Sequence, residues 1–126
     1  MWIWQILIVI AAFIAYVRLA PSDPARWHRD VAGEQDANFE GGALRIIKAD
    51  LSKLDQVIRA SDGRIFAGSI DDGHITYISR SRIIGFPDYT TVQRRGGSLA
   101  IYGRLRFGRS DLSVNRTRIE RWIAQL

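Results

Sequence analysis

The sequence predicts an α+β domain that follows one N-terminal membrane-spanning helix. An unbroken apolar run first covers residues 6–17 of the 126-residue chain. Apolar residues then recur at three- and four-residue steps from Leu44 to Ile58, which indicates an amphipathic helix. After Gly63 the period changes to two and tight-turn signals appear, which is typical of antiparallel strands. We therefore expect a helix, a four-stranded antiparallel meander and a closing helix within residues 43–126.

Residues 1–20 are predicted to form an uncleaved single-pass anchor. Gln5 is the one polar residue before the first charge, and about 20 residues of helix span roughly 30 Å of hydrocarbon. Aromatic and basic side chains suited to the headgroup region stand near the two ends: Trp2, Trp4, Tyr16 and Arg18. A cleaved signal peptide and a buried core helix are the alternatives. The first lacks a basic leader and a good cleavage context, and the second lacks an apolar partner helix.

The orientation of this anchor stays open. Arg18, Arg26 and Arg29 follow the span and no Lys or Arg precedes it, so the positive-inside rule favours a cytoplasmic domain. Nearby Asp23 and Asp30 partly offset those charges.

Residues 21–42 are predicted to be a juxtamembrane linker, because Pro, Gly and mixed charges dominate them. Trp27 interrupts that pattern and has two equal interpretations. It lies on the bilayer surface, or it packs on the domain.

The strands are predicted at residues 64–70, 74–80, 89–95 and 98–107. Asp71-Asp72-Gly73 and Gly96-Gly97 supply turns, and Asp62-Gly63 ends the preceding helix. Alternation in the fourth strand sorts Leu99, Ile101, Leu105 and Phe107 onto one face. Ala100, Tyr102, Arg104 and Arg106 share the other face. The closing helix begins at Ser110 or Asp111 as N-cap, and its apolar stripe comprises Val114, Ile119, Trp122, Ile123 and Leu126.

Basic charge is concentrated in the second half of the chain. Residues 1–72 hold eight basic and ten acidic residues, whereas residues 73–126 hold ten Arg and three acids. Since three carboxylates cannot neutralise ten guanidinium groups, we expect an excess of arginine to face outward and bind an anion or partner. The candidates, with one tyrosine, are Arg80, Arg82, Tyr102, Arg104, Arg106, Arg109, Arg116 and Arg118. Asp88 and Asp111 are expected to serve as a structural ion pair or cap.

Two stretches resemble signatures of the DUF1499 family, a bacterial and plastid family whose function is unknown. The first stretch is Ile75 to Arg82, continued by Gly85-Phe86-Pro87-Asp88-Tyr89. The second is Arg104 to Asp111, followed by Val114-Asn115-Arg116 and Arg118-Ile119-Glu120. The resemblance implies a Gly at the position of Ser113 and, in longer members, an upstream Cys-containing segment that this chain lacks. It also implies a domain outside the cytoplasm, against the positive-inside rule, and it supplies no reaction or cofactor.

Catalytic and metal-site patterns are weak. Asp71-Asp72-Gly73-His74 resembles a metal loop, but a tight turn selects the same residues. His74 is the one imidazole near the candidate serine nucleophiles, without an evident partner among them. We therefore expect no enzyme activity, no metal and no cofactor.

The sequence favours a non-catalytic binding domain in the bacterial inner membrane. We expect an accessory or assembly subunit whose partners are the lipid bilayer and an integral membrane protein. A stand-alone domain that binds anionic lipid or small anions is the alternative, because headgroups attract each nearby Arg by about 1 kcal/mol. A hydrolase that uses Asp88 or Asp111 is a weaker alternative. Nucleic acid is a weaker partner, because the anchored domain has no recognition helix.

Overall fold

The computed structural model describes residues 2–61, 63–81 and 85–126. Within them the helices are α1 (Trp2–Leu19), α2 (Pro24–Trp27), α3 (Leu51–Ala60) and α4 (Val114–Ile123). The strands are β1 (Ala37–Phe39), β2 (Gly42–Ile47), β3 (Arg64–Ser69), β4 (His74–Arg80), β5 (Pro87–Arg95) and β6 (Ser98–Leu105). The predicted α+β class is confirmed.

The strands form one antiparallel sheet in the order β1-β2-β6-β5-β4-β3. The predicted meander is present as β3 to β6, but the described residues contain six strands rather than four. The two additional strands come from the predicted linker and from the start of the predicted helix. Leu44 and Ile46 alternate with Ala43, Arg45 and Ile47 in β2, which pairs with β6. Their spacing also fits a helix, and sheet pairing decides between the two.

One sheet face carries the main core. Leu99 and Ile101 of β6 pack with Leu54 and Ile58 of α3 and with Trp122 of α4, all of them buried. The face predicted for Leu99 and Ile101 is therefore the core face. Gly103 lets α4 lie close to β6, because a Cβ there would sit 2.9 Å from Ile119 Cδ1.

Most of the α1 surface is exposed. Within the described residues, α1 is the helix long and apolar enough to cross a membrane, by length and composition alone. Trp2 and Trp4 are each 68% exposed, and Tyr16 is 60% exposed. Val17 is completely buried, so the end of α1 packs on the domain.

Candidate functional site

The second sheet face is covered by residues 20–33, which we call the strap. The predicted linker thus contains packed structure: α2 and β1 lie within residues 21–42. Trp27 is 8% exposed and stacks on Tyr89 with ring centroids 4.2 Å apart. The structure agrees with the interpretation in which Trp27 packs on the domain.

Arginines of β5 and β6, together with Arg106 directly after β6, hold the strap through its main-chain carbonyl groups. Arg106 donates to Pro21 O at 3.0 Å and, more weakly, to Ala20 O at 3.4 Å. Arg104 donates to Trp27 O, and its guanidinium carbon lies 5.6 Å from the Trp27 ring centroid. At the far end of the strap, Arg95 donates to Val31 O and Gly33 O.

The same pattern joins the domain to the end of α1. Arg80 donates to Val17 O at 3.2 Å and to Gly85 O at 2.9 Å. Arg18 lies against Gly85, where an added Cβ would meet the Arg18 side chain at 2.9 Å. Main-chain carbonyl oxygens therefore accept hydrogen bonds from guanidinium groups that we expected from the sequence to face outward.

Arg104 makes further contacts on this face of the sheet. It also donates to Thr91 Oγ1 at 2.7 Å and to Tyr102 O, and its guanidinium carbon lies 5.0 Å from the Tyr102 ring centroid. Burial lowers the pKa of the Arg104 guanidinium to about 10, opposed by Tyr102 and Tyr89. The group stays charged at neutral pH while its donors point at protein acceptors.

Two stacked histidines hold the middle of the strap. The ring centroids of His28 and His74 are 4.0 Å apart. His28 Nδ1 lies 2.7 Å from Thr76 Oγ1, and His74 Nε2 lies 2.9 Å from Arg29 O. Burial lowers the pKa of His28; His74 and Arg104 lower it further, whereas Asp72 and Asp30 raise it.

A cleft of about 340 Å³ opens on the helix side of the sheet, where the two stretches that resemble the family signatures meet. Its lining comprises Ser81, Phe86, Asp88, Leu105, Phe107, Ser110, Asp111, Val114 and Arg118. The first stretch contributes Ser81, Phe86 and Asp88, and the second contributes the end of β6 and the residues that lead into α4.

An ion pair forms the polar end of this cleft. Arg118 donates to Asp88 Oδ2 at 3.1 Å and to Asn115 Oδ1 at 3.0 Å. The Asp88 and Arg118 side chains are 15% and 18% exposed. Burial raises the pKa of the Asp88 carboxyl, the Arg118 guanidinium lowers it, and the net direction is upward.

Asp111 begins α4. Its Oδ1 accepts the Ser113 N–H at 2.9 Å, and its Oδ2 accepts the Asn115 N–H at 3.0 Å and the Asn115 side-chain amide at 2.9 Å. Leu112 and Ser113 between them adopt φ of 51° and 66°. These bonds satisfy amide groups that a helix start leaves without partners.

The remaining sequence-predicted residues do not join into one anion site. Arg116 donates to Ser113 Oγ at 3.1 Å, and Arg109 is exposed. Arg82 and Asp62 lie outside the described residues. No local pattern in the sequence indicated the carbonyls of the strap as partners, because they lie up to 86 positions from their arginines.

Metal ligation has no evident centre in the described part of the chain. Across residues 2–61, 63–81 and 85–126, no three His, Cys, Asp or Glu side chains are grouped to hold an ion. His74 instead stacks on His28 and bonds a strap carbonyl.

Comparison with known protein families identifies the family of this chain. A family model described as a protein of unknown function, DUF1499, matches residues 17–126. No curated protein matches the chain. The match begins at buried Val17 and includes the whole strap. Since the match covers most of the chain, this protein belongs to the DUF1499 family.

Proposed function

We propose that this protein is a membrane-anchored, non-catalytic binding domain that acts as an accessory or assembly subunit of a bacterial inner-membrane protein complex. The observation that carries the proposal is the fixed junction between α1 and the domain. Phe13 and Tyr16 of α1 contact Phe86 and Phe107 at ring-centroid distances of 6.1 and 6.0 Å. Because α1 is fixed to the domain in this way, α1 presents one binding surface inside the membrane, and the domain presents a second binding surface outside it.

A cleaved leader would not need this junction. Val17 is fully buried and its carbonyl accepts a bond from Arg80, so removal of α1 would expose apolar surface and remove one of the two carbonyl acceptors of Arg80. The exposed apolar side chains of α1 then require lipid or another helix around them. These contacts support retention of α1 as an anchor.

The acidic groups of the cleft support a binding role over hydrolysis. Asp111 accepts three hydrogen bonds at the start of α4, and Asp88 is paired with Arg118. A general acid or base must instead reach a substrate proton. The stand-alone anion-binding alternative has less support, because Arg80, Arg104 and Arg106 already bind protein carbonyl groups.

Purification of the full chain in mild detergent tests this proposal. We expect a co-purifying membrane protein in fixed stoichiometry, measured by the mass of the complex. The control replaces residues 2–12 by an apolar helix of equal length and keeps Phe13 and Tyr16. It should insert normally but lose the partner. A wild-type chain that inserts and runs alone contradicts the proposal.

A thiol probe determines the side of the membrane that the domain occupies. The chain has no cysteine, and Gly97 is an exposed turn residue at which an added Cβ would meet no atom within 4 Å. Gly97→Cys therefore introduces a unique thiol. Labelling by a membrane-impermeant reagent in intact spheroplasts indicates a periplasmic domain, and labelling only after lysis indicates a cytoplasmic one.

A further inference from the structure

The cleft beside Asp88 and Arg118 is continuous with the end of α1. Phe86 and Phe107 line the cleft, lie 6.3 Å apart between ring centroids, and contact Phe13 and Tyr16 respectively. Four aromatic rings thus connect the apolar helix with one wall of the cleft.

These contacts set the depth of the cleft relative to a bilayer that contains α1. Phe13 lies six residues before the end of α1 at Leu19, which corresponds to about 9 Å along the helix axis. The polar interfacial layer on each side of a membrane is roughly 5–8 Å thick. A helix of 18 residues, about 27 Å long, has no length to spare across the hydrocarbon, so Phe86 beside Phe13 lies at lipid depth and the cleft adjoins the membrane surface.

The lining divides into an apolar and a charged end. Phe86, Phe107, Leu105 and Val114 provide the apolar part, and Val114 is 47% exposed. The charged part holds both members of the Asp88–Arg118 ion pair. The pair holds an anion and a cation side by side, and both hydrogen bonds of Arg118 use Nη1, so its Nη2 can still donate to a ligand that carries both charges.

The size of the cleft restricts the ligand. About 340 Å³ is near the lower end of ligand pockets, which run from roughly 300 to 1,000 Å³. This volume suits a headgroup, while acyl chains remain in the membrane beside the phenylalanine rings.

We propose that the cleft binds the headgroup of a zwitterionic aminophospholipid, with its ammonium at Asp88 and its phosphate at Arg118. Among the described lining residues, two carboxylates stand against one guanidinium, which disfavours a headgroup that carries negative charge alone. An ammonium with N–H donors suits the carboxylates better than a quaternary amine. The inference rests on the proposed membrane anchorage of α1.

Lipid retention by the full chain tests the proposal. The chain is placed in nanodiscs of phosphatidylcholine that contain phosphatidylethanolamine or phosphatidylglycerol at equal mole fraction, and the lipids retained after release are counted by native mass spectrometry. We expect one phosphatidylethanolamine per chain, enriched about tenfold over its share in the nanodisc, as one well-formed charge-assisted hydrogen bond would give. Equal retention of the three lipids overturns the proposal.

Two matched variants locate the binding site. Val114→Trp fills the cleft, and Leu112→Trp places the same indole at a residue that is 87% exposed and does not line it. We expect the first to lose the retained lipid and the second to keep it. Similar retention by both variants overturns the assignment. Asp88→Asn should still retain a phospholipid but without preference for the primary amine.

Two further measurements distinguish loss of membrane anchorage from loss of lipid binding, and a membrane lipid from a soluble headgroup. Resistance of α1 to alkaline extraction is measured in the same samples, so a failed anchor is distinguished from a failed cleft. Soluble glycerophosphoethanolamine is added at the concentration of the lipid. We expect no displacement, because the soluble headgroup lacks the membrane part of the interaction. Complete displacement overturns a membrane lipid as the ligand.

Discussion

Replacement of Arg104 by Met should release the strap from the sheet. Met keeps most of the side-chain length but removes the guanidinium that donates to Trp27 O. One hydrogen bond to a charged group contributes about 1.5–3 kcal/mol, and the contact with the Trp27 ring adds about 0.5–1 kcal/mol. Burial of the guanidinium offsets part of this gain. We therefore expect strap docking to weaken by about 2 kcal/mol, or roughly 30-fold.

Hydrogen exchange at one strap amide measures this opening directly. The Val31 N–H donates to Gln93 Oε1 at 2.8 Å, so it exchanges when the strap leaves the sheet. In Arg104→Met this exchange should accelerate about 30-fold, while the amide of Ile101 in the sheet centre stays protected. Trypsin should also cleave faster at Arg26 and Arg29, which are exposed residues of the strap.

Two comparison variants make the result specific. Arg94→Met removes an exposed arginine from β5 and should leave exchange at Val31 unchanged. Arg104→Lys keeps the charge without the planar fork and should give an intermediate rate. The reasoning is refuted if Val31 exchanges at the wild-type rate in Arg104→Met. It is equally refuted if Ile101 accelerates in parallel, because the whole sheet would then be opening.

Four further predictions concern pH and local stability. The lowered pKa of His28 means that the imidazole binds a proton more readily in the unfolded chain, so strap docking should weaken as pH falls below about 6.5. Exchange at Val31 should then depend on pH, and His28→Asn should flatten that dependence. The raised pKa of Asp88 means that ionisation of this carboxyl opposes folding, so urea titrations should show Asp88→Asn gaining stability relative to wild type as pH rises from 4 towards 7. A stability difference that stays constant with pH would exclude this account. Ser113→Gly should raise the free energy of unfolding by about 1 kcal/mol, because φ of 66° is strained for serine but not for glycine, and an unchanged thermal midpoint would count against it. Tyr77→Phe removes the hydroxyl donor that lies 2.6 Å from Asp55 Oδ1 in the core, and it should destabilise the domain by about 2 kcal/mol in the same urea assay. In an Asp55→Ala background the same substitution should not lower the free energy of unfolding further.

The arrangement of β6 was predictable because alternation is a local property. Leu99 and Ile101 enter the core beneath the helices, and Ala100 and Tyr102 lie on the opposite face, as their sequence positions indicate. The turn at Gly73, with φ of 65°, follows from the same local chemistry.

The nature of β2 was not predictable from its own residues. Leu44, Ile46 and Ile47 satisfy a helical spacing and a strand alternation equally well, and pairing with β6 decides between them. In the strap, Trp27 was compatible with a membrane surface until Tyr89 and Arg104 were brought beside it. Such contacts join residues that are 62 or more positions apart, so no sequence window contains them.

The sequence by itself determined the apolar helix, the change of period, the turns and the segregation of arginine into the second half. The tertiary structure alone decided what those arginines bind. The sequence allows a comparison of side-chain charges, ten arginines with three carboxylates in residues 73–126. That comparison leaves out the carbonyl oxygens of the main chain, which also accept hydrogen bonds from arginine. A carbonyl carries no sequence signature because nearly every residue has the same one, and only the fold determines which carbonyls come within reach of a guanidinium.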